Sequence, residues 1–148
     1  MPWCLRGKIF LLVIKKQAQM YERLSEREEY LAKEIVDAAY KVHKELGPGL
    51  LEKIYEACFC YELAKKEIPY VRQAELPIIY DGQIFNEGLV MDVFVDTSVI
   101  CELKAVETIN PLWKAQIISH LKLTKLRLGF LINFNVTLIR DGIKRFIV

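Results

Sequence analysis

Cysteine is scarce, and its spacing rules out the common uses of clustered thiols. The four that occur, Cys4, Cys58, Cys60 and Cys101, form no C-x-x-C pair, which excludes the usual zinc and iron–sulfur frameworks. Reduced and mostly buried thiols are the expectation. A membrane-length apolar run is also missing. The apolar segment Ile9–Ile14 is six residues long and lies between basic residues, whereas a spanning helix needs about 20. It lacks the longer apolar region and small-residue cleavage site of a signal peptide. No membrane association and a cytoplasmic location are therefore expected. Repeats, low-complexity tracts and linkers are absent, and the formal net charge is only +2. The domain as a whole is thus not a basic nucleic-acid binder.

What is present is a chain of 148 residues, 53% hydrophobic and 27% charged, enough for one domain with a proper core. Its small net charge conceals an asymmetry. Residues 1–20 carry four basic and no acidic side chains, residues 21–110 net −8, and residues 111–148 net +6. A basic C-terminal quarter beside an acidic centre suits an anionic polymer held at a cation, although a solvated helix face would give the same count. Residues 1–20 read as a peripheral extension, consistent with a start upstream of Met20, and residues 21–148 as the domain.

Ser25 followed by Glu28 is a capping box, and Leu31, Ile35, Ala38, Ala39, Val42 and Leu46 continue a helical stripe. Gly47-Pro48-Gly49 stops that helix. A second helix is expected from about Leu50 to Lys66. Val71 to Tyr80 reads as a strand disturbed near Pro77, with a short strand near Ile84-Phe85 after the Asp81-Gly82 turn. After Asn110-Pro111 comes an amphipathic helix from Leu112 to Leu123. Leu128–Phe134, Val136–Ile139 and Ile143–Val148 are the last predicted strands. A helix between the Glu102 and Leu128 strands suits a crossover with parallel pairing, giving one α/β core.

The chemistry concentrates between Gly88 and Ala105. Leu89–Val95 and Val99–Ala105 are apolar strands around an Asp96-Thr97-Ser98 turn. Pairing Val95 with Val99 sets Phe94 against Ile100, Val93 against Cys101, and Asp92 against Glu102. Opposed side chains lie about 4.5–5.5 Å apart, and like charges there repel. Lys104 shares the Glu102 face. Two carboxylates in an apolar hairpin call for a cation, with oxygen-ligated divalent metal the natural one and the ammonium able to hold or deprotonate water. A solvated edge hairpin with Lys104 neutralising Glu102, or a bulge separating the acids, is the plainer alternative. The apolar surroundings, as in strands covered on both faces, favour a functional site.

Asp92 with Glu102-Leu103-Lys104 resembles the PD-(D/E)xK nuclease superfamily, which carries an aspartate on one strand and E-x-K on the next. Within it the chain is similar to the GxxExxY proteins, through Gly49-Leu-Leu-Glu52-Lys-Ile-Tyr55 and the segments Leu131-Ile-Asn133-Phe134 and Gly142-Ile-Lys144-Arg145. The resemblance runs from about Ser25 to Val148. It implies a restriction-endonuclease-like core: a mixed central sheet of about four strands flanked by helices, with an extra C-terminal hairpin. It also implies a nuclease hydrolysing DNA in preference to RNA, with Mg²⁺ or Mn²⁺ held by Asp92, Glu102, Glu52 and the Leu103 carbonyl. Lys104 would activate the attacking water, and Gln116 would belong to the catalytic group. Tyr55, His120 and His43 would be substrate contacts. For Tyr55 a core role with a bonded hydroxyl is at least as well founded, and His43 reads equally as a satisfied structural histidine. Gln116 and His120 occupy the place of a Q-x-x-x-Y pattern in RecB-like nucleases, and the histidine departs from it. A catalytically inactive module that binds nucleic acid or a protein partner, or pairs as a homodimer, is the alternative reading.

Overall fold

The computed structural model describes residues 23–148. The 1–20 extension, with Cys4 and Ile9–Ile14, lies outside them. Helix α1 (Glu26–Leu46) opens with the expected reciprocal cap: the Ser25 hydroxyl accepts from the Glu28 N–H, and the Glu28 carboxylate accepts from the Ser25 N–H. It ends at Gly47, whose φ of 68° suits a residue without a side chain. Helix α2 (Glu52–Lys65) follows, then strands β1 (Tyr70–Tyr80), β2 (Gln83–Val95) and β3 (Val99–Lys104). Helix α3 (Pro111–Thr124) starts with Pro111 in its first turn and an Asn110 side chain accepting from the Leu112 N–H. Strand β4 (Leu128–Asn133), the single turn α4 (Ile139–Gly142) and strand β5 (Ile143–Ile147) complete the chain.

The sheet is five-stranded in the order β1-β2-β3-β4-β5. Only β3 and β4 are parallel, and α3 is their crossover; the other pairs are antiparallel. The mixed sheet flanked by helices is as expected, and the β4–β5 pair supplies the C-terminal hairpin.

Two details differ from the sequence reading. Ile84-Phe85 belongs to one long β2 rather than to a separate strand, because Ile79↔Ile84 and Ile78↔Phe85 continue the β1 ladder. As expected, the ladder slips at Pro77, between Leu76 and Ile78, where proline has no N–H to give. Val136–Ile139 is not a strand; the chain there bends into α4. The bend lets Gly142 pack on the end of β4, where any Cβ would overlap the Asn133 carbonyl oxygen.

Two apolar layers enclose the sheet. Leu31, Ile35, Tyr55, Phe59 and Leu63 of α1 and α2 pack on Val93, Val95, Cys101, Leu103, Phe130 and Ile132. On the other face Ile117 and Leu121 of α3 pack on Met91, Ile100, Leu131 and Phe146. Each fully buried Leu, Ile or Phe contributes about 1.5–3 kcal/mol, and β3 and β4 carry such residues on both faces, as their near-continuous hydrophobicity predicts. Cys60 and Cys101 are buried free thiols, and Cys58 is half-buried. Among the described residues no helix is long and apolar enough to cross a membrane.

Candidate active site

The β2–β3 hairpin pairs Val95 with Val99, Phe94 with Ile100 and Val93 with Cys101, the register predicted from the turn. The ladder then stops, one pair short of Asp92 and Glu102. Asp92 does not pair through its backbone; its Oδ2 accepts the Leu103 N–H at 2.9 Å. The reason lies in β2 itself. Met91 packs under α3 whereas Val93 packs under α1 and α2, although residues two apart on a regular strand share a face. The strand therefore rolls over at Asp92, and Gln73, skipped by the β1–β2 ladder between Arg72↔Val93 and Ala74↔Met91, has a φ of 50°. The roll carries the Asp92 carboxylate to the end of β3. In antiparallel pairing the N–H and C=O of a strand residue face the same neighbour, so the Leu103 carbonyl points to the Asp92 side too.

Glu102 feels this proximity. Burial, the Asp92 charge and a side-chain hydrogen bond with Asp92 together push its pKa from 4.5 up to about 8, against the opposing pull of Lys104 and a backbone hydrogen bond from Asp92. Its Oε1 is buried without a hydrogen-bond partner. Glu52, the first residue of α2, is raised by burial, by Asp92 and by Glu56, and lowered by Lys104. The start of α2 therefore lies within electrostatic reach of the hairpin.

Lys104 projects with Glu102 towards α3, and its Nζ sits 4.4 Å from the centroid of the Trp113 ring. Glu102, Lys104, Trp113, Gln116 and His120 line one small pocket of about 30 Å³ together with the apolar Ile117 and Leu131. That volume holds a water or two. Burial lowers the His120 pKa, so the ring is neutral near pH 7, and its Nδ1 is buried without a partner. Trp113 escaped the sequence reading. It lies three and seven residues before Gln116 and His120, so extending their helical spacing back one turn points to it. Asn133 escaped as well. It is the parallel partner of Lys104, and its side chain accepts from the Val106 and Asn135 N–H groups and donates to the Val106 carbonyl. It thereby clamps the chain leaving β3.

Tyr55 and His43, each read as a substrate contact or a structural residue, make structural contacts. Tyr55 is fully buried; its hydroxyl donates to the Gly47 carbonyl at 2.6 Å and accepts the Leu50 N–H at 3.1 Å, and its ring stacks on Phe134. This is the core role with a bonded hydroxyl: Tyr55 pins the loop that delivers Glu52. His43 is buried, with Nε2 hydrogen-bonded to the Val136 carbonyl at 2.8 Å, and it lines a separate concavity between α1 and α4, not the Glu102 pocket. Glu56, one turn after Glu52, is buried and accepts from Arg72 Nη2 and Gln73 Nε2. It ties α2 to the part of β1 that faces Asp92.

Among the described residues no three or more His, Cys, Asp or Glu side chains converge as a ready-made metal cage. The oxygen donors gathered here are Asp92, Glu102 and the Leu103 carbonyl, with Glu52 near. That set fits a hard divalent cation of the Mg²⁺ type, which takes one or two carboxylates and keeps water and phosphate oxygens as its other ligands. The unpartnered Glu102 Oε1 and the raised Glu102 pKa are what a carboxylate pair awaiting a cation should show.

No curated protein and no solved structure matches the chain. A family model for the PD-(D/E)XK nuclease superfamily matches residues 29–146, from the first turn of α1 to the end of β5. The chain belongs to the PD-(D/E)XK nuclease superfamily.

Proposed function

We propose that the protein is a metal-dependent nuclease that hydrolyses phosphodiester bonds, with DNA favoured over RNA. The observation that carries this reading is the Asp92–Glu102 pair, crowded together at the end of β3 beside Lys104 and strained in its charge. Asp92, Glu102 and the Leu103 carbonyl would hold Mg²⁺ or Mn²⁺, with Glu52 at the margin. When bound, the cation supplies Lewis-acid stabilisation of the phosphate charge.

The chain's own residues divide the remaining work. Lys104, braced by Trp113, orients the attacking water and stabilises negative charge building on the non-bridging oxygens. Gln116 donates its amide N–H to a phosphate oxygen. His120, neutral at pH 7, offers either a donor or an acceptor to the strand. The water oxygen forms the new bond to phosphorus as the bond to one sugar oxygen breaks. The water's proton leaves to solvent, and the departing alkoxide takes one up.

The direct test is cleavage of single- and double-stranded DNA and RNA in Mg²⁺ or Mn²⁺ by the wild type, Asp92→Ala and Lys104→Ala. The reading expects cation-dependent cutting that both substitutions abolish. Full-rate cutting by either variant would assign the activity to another site. A non-catalytic nuclease-fold module is the second reading, supported by His120 at the place where RecB-like nucleases carry tyrosine. Calorimetric titration separates the two, since no binding of Mn²⁺ at millimolar concentration, with nucleic acid present, favours the module.

A further inference from the structure

A second and much larger concavity, about 520 Å³, opens between the C-terminal half of α1 and the segment joining β4 to α4. Its size lies within the roughly 300–1,000 Å³ that small organic ligands occupy. Its lining is basic, whereas the Glu102 pocket sets one carboxylate beside one lysine. Lys41, Lys44 and Arg140 line it, with Tyr40 and an apolar floor from Leu138 and Ile139, and no carboxylate does. Lys41 is already paired with Asp37 at 3.1 Å. Lys44 and Arg140 make no ion pair among the described residues. The Tyr40 ring is 45% exposed.

The walls are built rather than incidental. The His43 bond to the Val136 carbonyl joins α1 to the loop, and Gly142 seats the following turn against Asn133. The same loop also fixes the pocket's position. Asn133 is the ladder partner of Lys104, and Thr137 follows four residues later. With strands about 4.8 Å apart and at most about 3.6 Å per residue, Thr137 lies within roughly 20 Å of Lys104. That is a few nucleotides along a strand.

We infer that this pocket is an accessory subsite for a flanking nucleotide of the strand being cut, and that the nucleic acid is single-stranded there. The inference rests on the nuclease reading and names its substrate class. Lys44 and Arg140 hold a phosphate, and Tyr40 stacks a base, the combination by which single strands are bound without sequence preference. A base inside a duplex presents no free face to Tyr40.

The test is fluorescence anisotropy of a labelled 20-mer, single-stranded or as a blunt duplex, in EDTA over a range of salt. The wild type should bind the single strand more tightly than the duplex. Lys44→Ala/Arg140→Ala should weaken single-strand binding about tenfold or more and flatten the slope of log K against log salt by about 0.7, the share of the one phosphate they hold. Tyr40→Ala should weaken binding at least fivefold, and Tyr40→Phe should restore it. Turnover of a minimal thymidine p-nitrophenyl phosphodiester should be unchanged in all of these variants. Unchanged affinity and salt slope in the double variant, or a wild type that prefers the duplex, overturns the subsite while leaving the nuclease reading in place. Loss of minimal-substrate turnover together with binding overturns it too, since the pocket would then be part of the catalytic centre. Failure of the nuclease reading itself would show differently, as a wild type that never turns over the minimal diester in Mn²⁺.

Discussion

The ammonium of Lys104 rests on the face of Trp113, 4.4 Å from the ring centroid, at the mouth of the pocket it shares with Glu102. A flexible lysine is thereby held near one position, next to a carboxylate pair that it does not neutralise by direct contact. A cation–π contact contributes about 0.5–2 kcal/mol. Trp113→Leu should therefore cut kcat by roughly tenfold with KM little changed, and Trp113→Phe should retain most of the rate. In urea denaturation Trp113→Leu should cost about 0.5–2 kcal/mol less in a Lys104→Met background than in the wild type, the part carried by the cation–π contact. Equal losses in both backgrounds would make Trp113 a packing residue only.

The charge state of Glu102 gives a pH prediction. Its folded-state pKa is raised to about 8 from 4.5, so between these values the fold holds a proton that the unfolded chain has released. The associated stability is fully present below about pH 4.5 and is lost as pH rises to about 8, at up to about 1.4 kcal/mol per pH unit. Urea melts of metal-free protein from pH 5 to 8 should show this decline, and Glu102→Gln should largely remove it. A wild-type profile as flat as the variant's contradicts the burial and crowding assigned to Glu102.

Tyr55 should behave as a strut. Tyr55→Phe removes a hydroxyl that serves both Gly47 and Leu50, and should destabilise the fold by about 1–3 kcal/mol. Tyr55→Ala also leaves a cavity beside Phe134 and should cost about 3–5 kcal/mol. Chemical denaturation measures both. In the folded fraction the affinity for an oligonucleotide should not change; a large loss with full stability would return Tyr55 to the substrate surface.

Much of this arrangement was legible in the sequence, for identifiable reasons. The Ser25 cap, the Gly47 stop and the hairpin register from Val95↔Val99 to Val93↔Cys101 are local, each fixed by a few neighbouring residues. The clustering of Asp92, Glu102 and Lys104 followed from that register. The roll of β2 at Asp92 did not, because it depends on Gln73, distant in sequence, and on which helix covers Met91 and which covers Val93. Nor did the roles of Trp113, Asn133 and Glu56, whose partners are brought to them by the parallel crossover and by β1. The strand expected at Val136–Ile139 failed for a similar reason. Its β-branched and apolar residues serve a bend that the His43 bond and the close approach of Gly142 hold in place.

The central claim is that Asp92 and Glu102 form a cation site, and thermal melts of wild type and Asp92→Asn, with and without Mn²⁺, test it most directly. Asparagine can still accept the Leu103 N–H but removes the charge that faces Glu102. The metal-free variant should therefore melt higher than metal-free wild type, more so at pH 8 than at pH 5. Mn²⁺ binds the folded arrangement and should raise the wild-type midpoint by several degrees through mass action, while moving the variant little. A variant that melts lower without metal, together with equal Mn²⁺ shifts in both proteins, would show Asp92 to be a structural residue and contradict the site.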